Sequence, residues 1–220
     1  MITEVVDACL APVVERLRSG ERVDVVAEMT RPVPTLVIAR MLGIPTADHP
    51  QFSDWSDGMV RAAEGATDAG PQGVENLRLG MEATAALNEY LTAMMFAGRR
   101  SGCPADLIGQ MVDSPTRWKR AGLGSPDPGR GDRSGIAGRG QQGSGAMENP
   151  DVLDVSRAPR SHLGFGFGMH HCLGISLARL ELAIWLNRIL DEIPDWDVFD
   201  IDWGRGWVAR GPVRLTVGIR

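Results

Sequence analysis

Between His162 and Gly174 the chain carries a single cysteine, Cys172, behind glycines at 164, 166 and 168. A thiol at its free pKa is mostly protonated at neutral pH, and a metal ligand must be the thiolate. Residues from about Leu173 onward read as a helix, which puts Cys172 at its positive end beside unpaired backbone N–H groups that favour the anion. Gly164, Gly166, Gly168 and Gly174 let the backbone turn sharply and lie close to a flat group without a Cβ clash. The chemistry this suggests is presentation of one thiolate to a metal. Other readings stand beside it. A lone cysteine on an apolar stretch is often a small buried hydrophobe. Gly-x-Gly-x-Gly suggests a nucleotide loop, but no strand precedes it and the Gly-x-Gly-x-x-Gly spacing is absent. A zinc site from His170, His171 and Cys172 is poor, because adjacent residues do not readily converge on one tetrahedral ion and no Cys-x-x-Cys partner exists. His162 and His171 read as structural or solvent-facing.

The pattern Phe165-x-x-Gly168-x-His170-x-Cys172-x-Gly174 resembles the haem-ligand loop of the cytochrome P450 family at each defining position. The resemblance implies that Cys172 is the axial thiolate and metal ligand of a haem b, pushing electron density onto the iron to promote O–O cleavage. It implies that Phe165 packs beside the sulfur and shields it from water. It further implies that His170 pairs with a haem propionate, and that Gly166, Gly168 and Gly174 complete the cofactor-binding set. Asn149 to Arg157 is similar to the lead-in to this loop in bacterial members, residues 173–190 to the long helix after it, and Arg22 to Pro45 to another helical stretch of the family.

The fold implied is mainly α with minor β: a cytochrome P450 architecture, truncated and internally deleted. Three family features have no counterpart in the sequence: the N-terminal sheet region, the distal helix with its acid–alcohol pair, and the Glu-x-x-Arg helix. No catalytic residue is therefore assigned. Two Glu-x-x-Arg strings do occur, Glu15 to Arg18 and Glu75 to Arg78. Both lie too early in the chain and read as surface pairs, each contributing a few tenths of a kcal/mol.

The activity implied is that of a bacterial haem-thiolate monooxygenase inserting oxygen into an apolar small molecule. The partners implied are a ferredoxin-type electron donor and its NAD(P)H reductase. Arg179 and Arg188 are candidates to face an acidic redox partner, the alternative being a solvated helix face. Two further readings of the chain are a non-catalytic haem-binding remnant, such as a pseudogene product, and a helical scaffold without haem.

Composition narrows the class. The chain has 220 residues, a net charge of −5 and three scattered cysteines. The charge argues against general nucleic-acid binding. Three cysteines form no disulfide framework, so a reducing cytosol fits. No apolar run approaches the ~20 residues of a membrane span, and the first residues lack a basic head and signal-type core. The expectation is a cytoplasmic monomer without a membrane anchor.

Three parts are expected. Residues 1–113 read as helical and are similar to the family's mid-region and lid helices. Helices are predicted over 2–18, from Val23 to Leu42, over 47–63 and over 72–98, with a short amphipathic one from Pro104 to Asp113. Pro32 and Pro34 are tolerable only near a bend or start. Residues 114–148 are dominated by glycine, arginine and serine, with few apolar residues and no period. Such a segment cannot bury enough surface to offset its ordering entropy. It reads as a low-order linker, or as GC-rich coding sequence translated out of frame, which independent sequencing of the locus decides. Residues 149–220 carry the ligand loop, its helix and a closing β-hairpin over Val208 to Ile219, with Arg210-Gly211-Pro212 similar to a turn near the family's substrate pocket.

Overall fold

A computed structural model of the protein describes residues 1–66, 68, 70–101, 156, 164–166, 168, 171–203 and 211–219. The helices are α1 (Ile2–Arg18), α2 (Pro32–Met41), α3 (His49–Gly65), α4 (Pro71–Ser101) and α5 (Ile175–Glu192). The strands are β1 (Val23–Asp24), β2 (Asp197–Asp202) and β3 (Arg214–Gly218), forming one antiparallel sheet in the order β1-β3-β2. The predicted Pro104–Asp113 helix and the 114–148 segment lie outside the described residues.

The sequence of α1 accounts for its packing. Val5, Val6, Leu10, Val13, Val14 and Leu17 fall on one helical face, and all six are buried. The C-terminal half of that face packs against Ile189 of α5, Ile193, and Val217 of β3, with Val23, Val25 and Met29 closing the cluster. The N-terminal half meets Val33 and Val37 of α2, with Leu177, Ile184 and Trp185 of α5 alongside. Two ion pairs seal the α1–α5 seam: Arg188 Nε donates to Asp7 Oδ1 at 2.7 Å, and Arg18 to Glu192 Oε2 at 3.0 Å. Its hydrogen bond to Arg188 holds the Asp7 carboxyl below its ordinary range. Arg188, a sequence candidate for a redox partner, is thus engaged within the chain.

The single helix expected from Val23 to Leu42 is instead three pieces: β1, a π-helical turn (Val26–Thr30) and α2. The Asp24 carboxylate explains the break. Its Oδ1 accepts the N–H of Val26 and that of Leu215 in β3, so it stops the strand and ties it to the sheet. Pro32 then opens α2 at a position where its missing N–H leaves nothing unpaired. The closing hairpin is also corrected. Residues 204–210 lie outside the described residues; β3 pairs antiparallel with the preceding strand β2 and, on its other side, with β1, Val217 facing both Val198 and Val23, so one of its two partners comes from a distant segment. A bulge at Phe199 puts that ring under the Arg22 guanidinium, 3.8 Å from its centroid. A Cβ at Gly218 would lie 2.8 Å from the Phe199 ring, which would have to shift to admit it.

α3 and α4 form a tight antiparallel pair. A Cβ at Gly58 would come within 2.5 Å of the Ala83 Cβ, and one at Gly80 would run into the Ala62 methyl. The pair meets the rest through Ala39, Ile44 and Phe52, packed against Leu87, Tyr90, Leu91 and Met94. Tyr90 donates to Asp48 Oδ2 at 2.6 Å. Burial, then that carboxylate, pushes the Tyr90 hydroxyl up to about 12, which keeps it a donor.

Overpacking such a contact destabilises by about 1–3 kcal/mol. Gly58→Val is expected to lower the melting temperature and to speed amide exchange in α3 and α4, leaving protection in α1 and α5 unchanged. Hydrogen exchange resolved by peptide checks this, and equal loss in α1 would contradict it.

Candidate functional site

Cys172 lies in the turn that feeds α5, whose first residue is Ile175 and whose N-cap is Gly174. The helix does not begin at the cysteine, as the sequence suggested. The Cys172 amide is already taken: it donates to the Phe165 carbonyl at 2.8 Å, while the His171 amide donates to Gly168 at 3.1 Å. Those two bonds fold the loop back on itself. The reversal is made by Gly166 at φ 75° and Gly168 at φ 64°, where a side chain is strained.

The folded loop leaves one side open. Cys172, Gly168 and Gly174 are exposed, and Leu173 is fully so at 102%. Nothing lies within 4 Å of where a Cβ at Gly168 would stand, and a Cβ at Gly174 would touch Cys172 Sγ at 3.8 Å. Phe165 is half-buried, with the Arg179 guanidinium of α5 5.9 Å from its centroid. The loop therefore offers one soft sulfur donor on a flat, glycine-lined surface with an aromatic ring beside it. This donor set suits a planar macrocycle with a central metal. It does not suit a protein-caged ion, and no cluster of three or more His, Cys, Asp or Glu occurs among the described residues.

Of the sequence candidates, Phe165, Gly166, Gly168, Cys172 and Gly174 come together here; His170 lies outside the described residues. Cys9 on α1 is half-buried, and burial pushes its thiol up against the opposing effect of Arg40. Two surface clefts, of 690 and 470 Å³, lie at the other end of α5, around Glu192–Asp197 and between Asp7, Leu10 and Arg188. Neither touches Cys172. Of the two Glu-x-x-Arg strings expected to be surface pairs, only the second is one. Glu75 and Arg78 are paired at 2.6 Å and about half exposed, whereas Arg18 pairs with Glu192 and not with Glu15.

One feature of α5 escaped the sequence. Glu181 is buried, and both its Oε1 and the Trp185 Nε1 one turn later are buried without a hydrogen-bond partner among the described residues. The signal was present as an acid one turn before a tryptophan. Burial raises the Glu181 pKa. The unfolded chain therefore ionises first as pH rises, and stability falls from about pH 4.5, the ordinary glutamate value, up to the folded pKa. Glu181→Gln is expected to melt near the parent at pH 4 and above it at pH 7. A parallel dependence in both proteins would contradict this.

Known proteins share this outline. The family profile described as Cytochrome P450 matches residues 147–193. Over 268 aligned positions the chain is 28% identical to the mycinamicin IV hydroxylase/epoxidase of Micromonospora griseorubida, covering 90% of this chain and 68% of that one. It is 27% identical to the vitamin D3 dihydroxylase of Streptomyces griseolus, covering 82% and 60%. The chain thus spans roughly two thirds or less of these relatives. The first alignment is longer than the 220-residue chain itself, so part of the missing length is internal. The fold matches the CYP109B1 cytochrome P450 of Bacillus subtilis with a TM-score of 0.75 at 19% identity, covering 99% of this chain and 77% of that one. It matches PksS of Bacillus subtilis with a TM-score of 0.71, covering 99% and 73%.

Proposed function

The chain belongs to the bacterial cytochrome P450 family, and on that footing we propose that it binds haem b through Cys172 as a haem-thiolate monooxygenase. The observation that carries the reading is the exposed Cys172 on an open glycine surface, its amide tied to Phe165. When bound, the haem supplies the iron at which dioxygen is reduced with two electrons and two protons, one oxygen atom entering an apolar substrate and the other leaving as water.

The residues of the chain have separate tasks. Cys172 would hold the iron through its thiolate sulfur. The positive-φ glycines Gly166 and Gly168 let the backbone lie flat, where a Cβ would lift it away. The Phe165 ring, half-buried beneath Arg179, would shield the sulfur on its protein side once haem is bound and so tune its donor strength. His170 would pair with a carboxylate of the haem. The α1–α5 core holds the start of α5, and with it the sulfur, in place. A ferredoxin-type donor and its NAD(P)H reductase supply the electrons. Hydroxylation of apolar small molecules is in keeping with the names of the relatives.

The test is a reduced, CO-bound difference spectrum of the purified chain after haem reconstitution. A strongly red-shifted Soret band is expected in the parent and in Cys9→Ala, and its loss in Cys172→Ala. A spectrum of free or histidine-bound haem in the parent would overturn the proposal. Gly168→Ala is expected to weaken haem retention, since left-handed backbone at a non-glycine residue costs about 1–2 kcal/mol. Haem transfer to apomyoglobin measures this, and unchanged retention would contradict the role given to the loop.

A further inference from the structure

Arg179 stands one turn into α5, and its guanidinium carbon lies 5.9 Å from the centroid of the Phe165 ring. A cation at this distance over an aromatic face is attracted by the ring's quadrupole. The side chain is exposed. Among the described residues no carboxylate pairs with it, whereas Arg188 on the same helix is held by Asp7. One exposed contact of this kind adds little to the stability of the whole chain, because ordering an arginine costs a similar amount. Its effect is local, and depends on what the ring is attached to.

The ring belongs to the residue on which the loop closes. The Phe165 carbonyl accepts the Cys172 amide at 2.8 Å. Its neighbours Gly164 and Gly166 carry no side chain and are exposed, while Phe165 is half-buried. Glycine loses the most backbone freedom on ordering, so the closed turn needs a fixed point, and the ring is a side chain that can supply one. α5 is a firm anchor behind it. Leu177 and Trp185 pack against Val5, Val6, Val33 and Val37, and the Ala178 N–H donates to the Gly174 carbonyl at 2.8 Å, closing the first turn of the helix.

We propose that Arg179 is a positioning residue: its guanidinium clamps the Phe165 ring to α5, and so holds the Phe165 carbonyl on the Cys172 amide and keeps the thiol-bearing loop closed before any ligand arrives. The rigidity of the core then reaches the sulfur through one cation and one ring. The clamp deepens the haem-site reading, but it is a property of the chain without haem. A cation that only faces a charged partner, or that only solvates the helix, would leave the opening of the loop unaffected.

Hydrogen-exchange NMR of the full haem-free chain, labelled with nitrogen-15 cysteine, tests it. The Cys172 amide is identified by its loss in Cys172→Ser, and the Cys9 amide inside α1 is the control in the same sample. Arg179→Gln is expected to speed exchange at Cys172 about two- to fivefold, the factor an exposed cation–ring contact carries, and to leave Cys9 unchanged. Arg179→Lys, which keeps a cation but loses the planar fork, should fall between the parent and Arg179→Gln. In a Phe165→Leu chain, which lacks the ring, Arg179→Gln should add nothing. With haem reconstituted, Arg179→Gln should speed transfer to apomyoglobin by a similar factor. Unchanged exchange at Cys172, equal acceleration at Cys9, an undiminished effect in the Phe165→Leu chain, or unaltered haem transfer would overturn the proposal. Failure of the CO spectrum in the parent would overturn the haem reading alone and leave the amide measurements standing.

Discussion

The structure depends on one contact between the two ends of the chain. Leu10, Val13, Val14 and Leu17 of α1 bury themselves against Ile189 and Ile193 at the end of α5. Burying each such side chain contributes about 1.5–3 kcal/mol. The entropy of closing so long an intervening stretch grows only with the logarithm of its length. Asp7–Arg188 and Arg18–Glu192 bracket the seam, but both are substantially exposed and add little energy. Their contribution is register. The sheet repeats the logic: β1, from the N-terminal part, pairs with β3 at the C-terminal end, and the Asp24 carboxylate accepts the Leu215 amide.

The candidate site is a dependent of that contact. Cys172 sits just ahead of α5, and the start of that helix and the Phe165–Cys172 hydrogen bond hold its loop. A flat, open thiol-bearing surface has little packing of its own. It keeps its shape because glycine conformations and two backbone bonds over-determine the turn, while the α1–α5 core anchors the helix behind it. Function in this chain is therefore carried by a small local motif, and its geometry is carried by residues far away in sequence.

The legible and illegible parts of the sequence divide along that line. The loop could be read because its residue types must fall at fixed spacing to do their chemistry. α1 could be read because one face is buried and the other wet, so its leucines and valines keep a helical period. The start of α5 was misplaced because Gly174 caps it and Cys172 is spent in the preceding turn. The orientation of α5 was illegible for a deeper reason: apolar and charged residues occur on both of its sides, and here Glu181 is buried while Leu182 and Leu186 are exposed. The region from Val23 to Leu42 reads as one apolar helix, yet a single carboxylate, Asp24, converts its beginning into a strand through a long-range bond to Leu215. Long-range pairing of this kind leaves no local trace. The same holds for β3 on its β1 side, while its other partner, β2, is the preceding strand.

The central claim is that a lone sulfur on this loop ligates iron. Resonance Raman spectroscopy of the haem-reconstituted ferric chain, prepared with natural and with sulfur-34 cysteine, measures that bond itself. The account predicts an iron–sulfur stretching band that moves to lower frequency on labelling and vanishes in Cys172→Ala. A spectrum with no band sensitive to the sulfur isotope would contradict it.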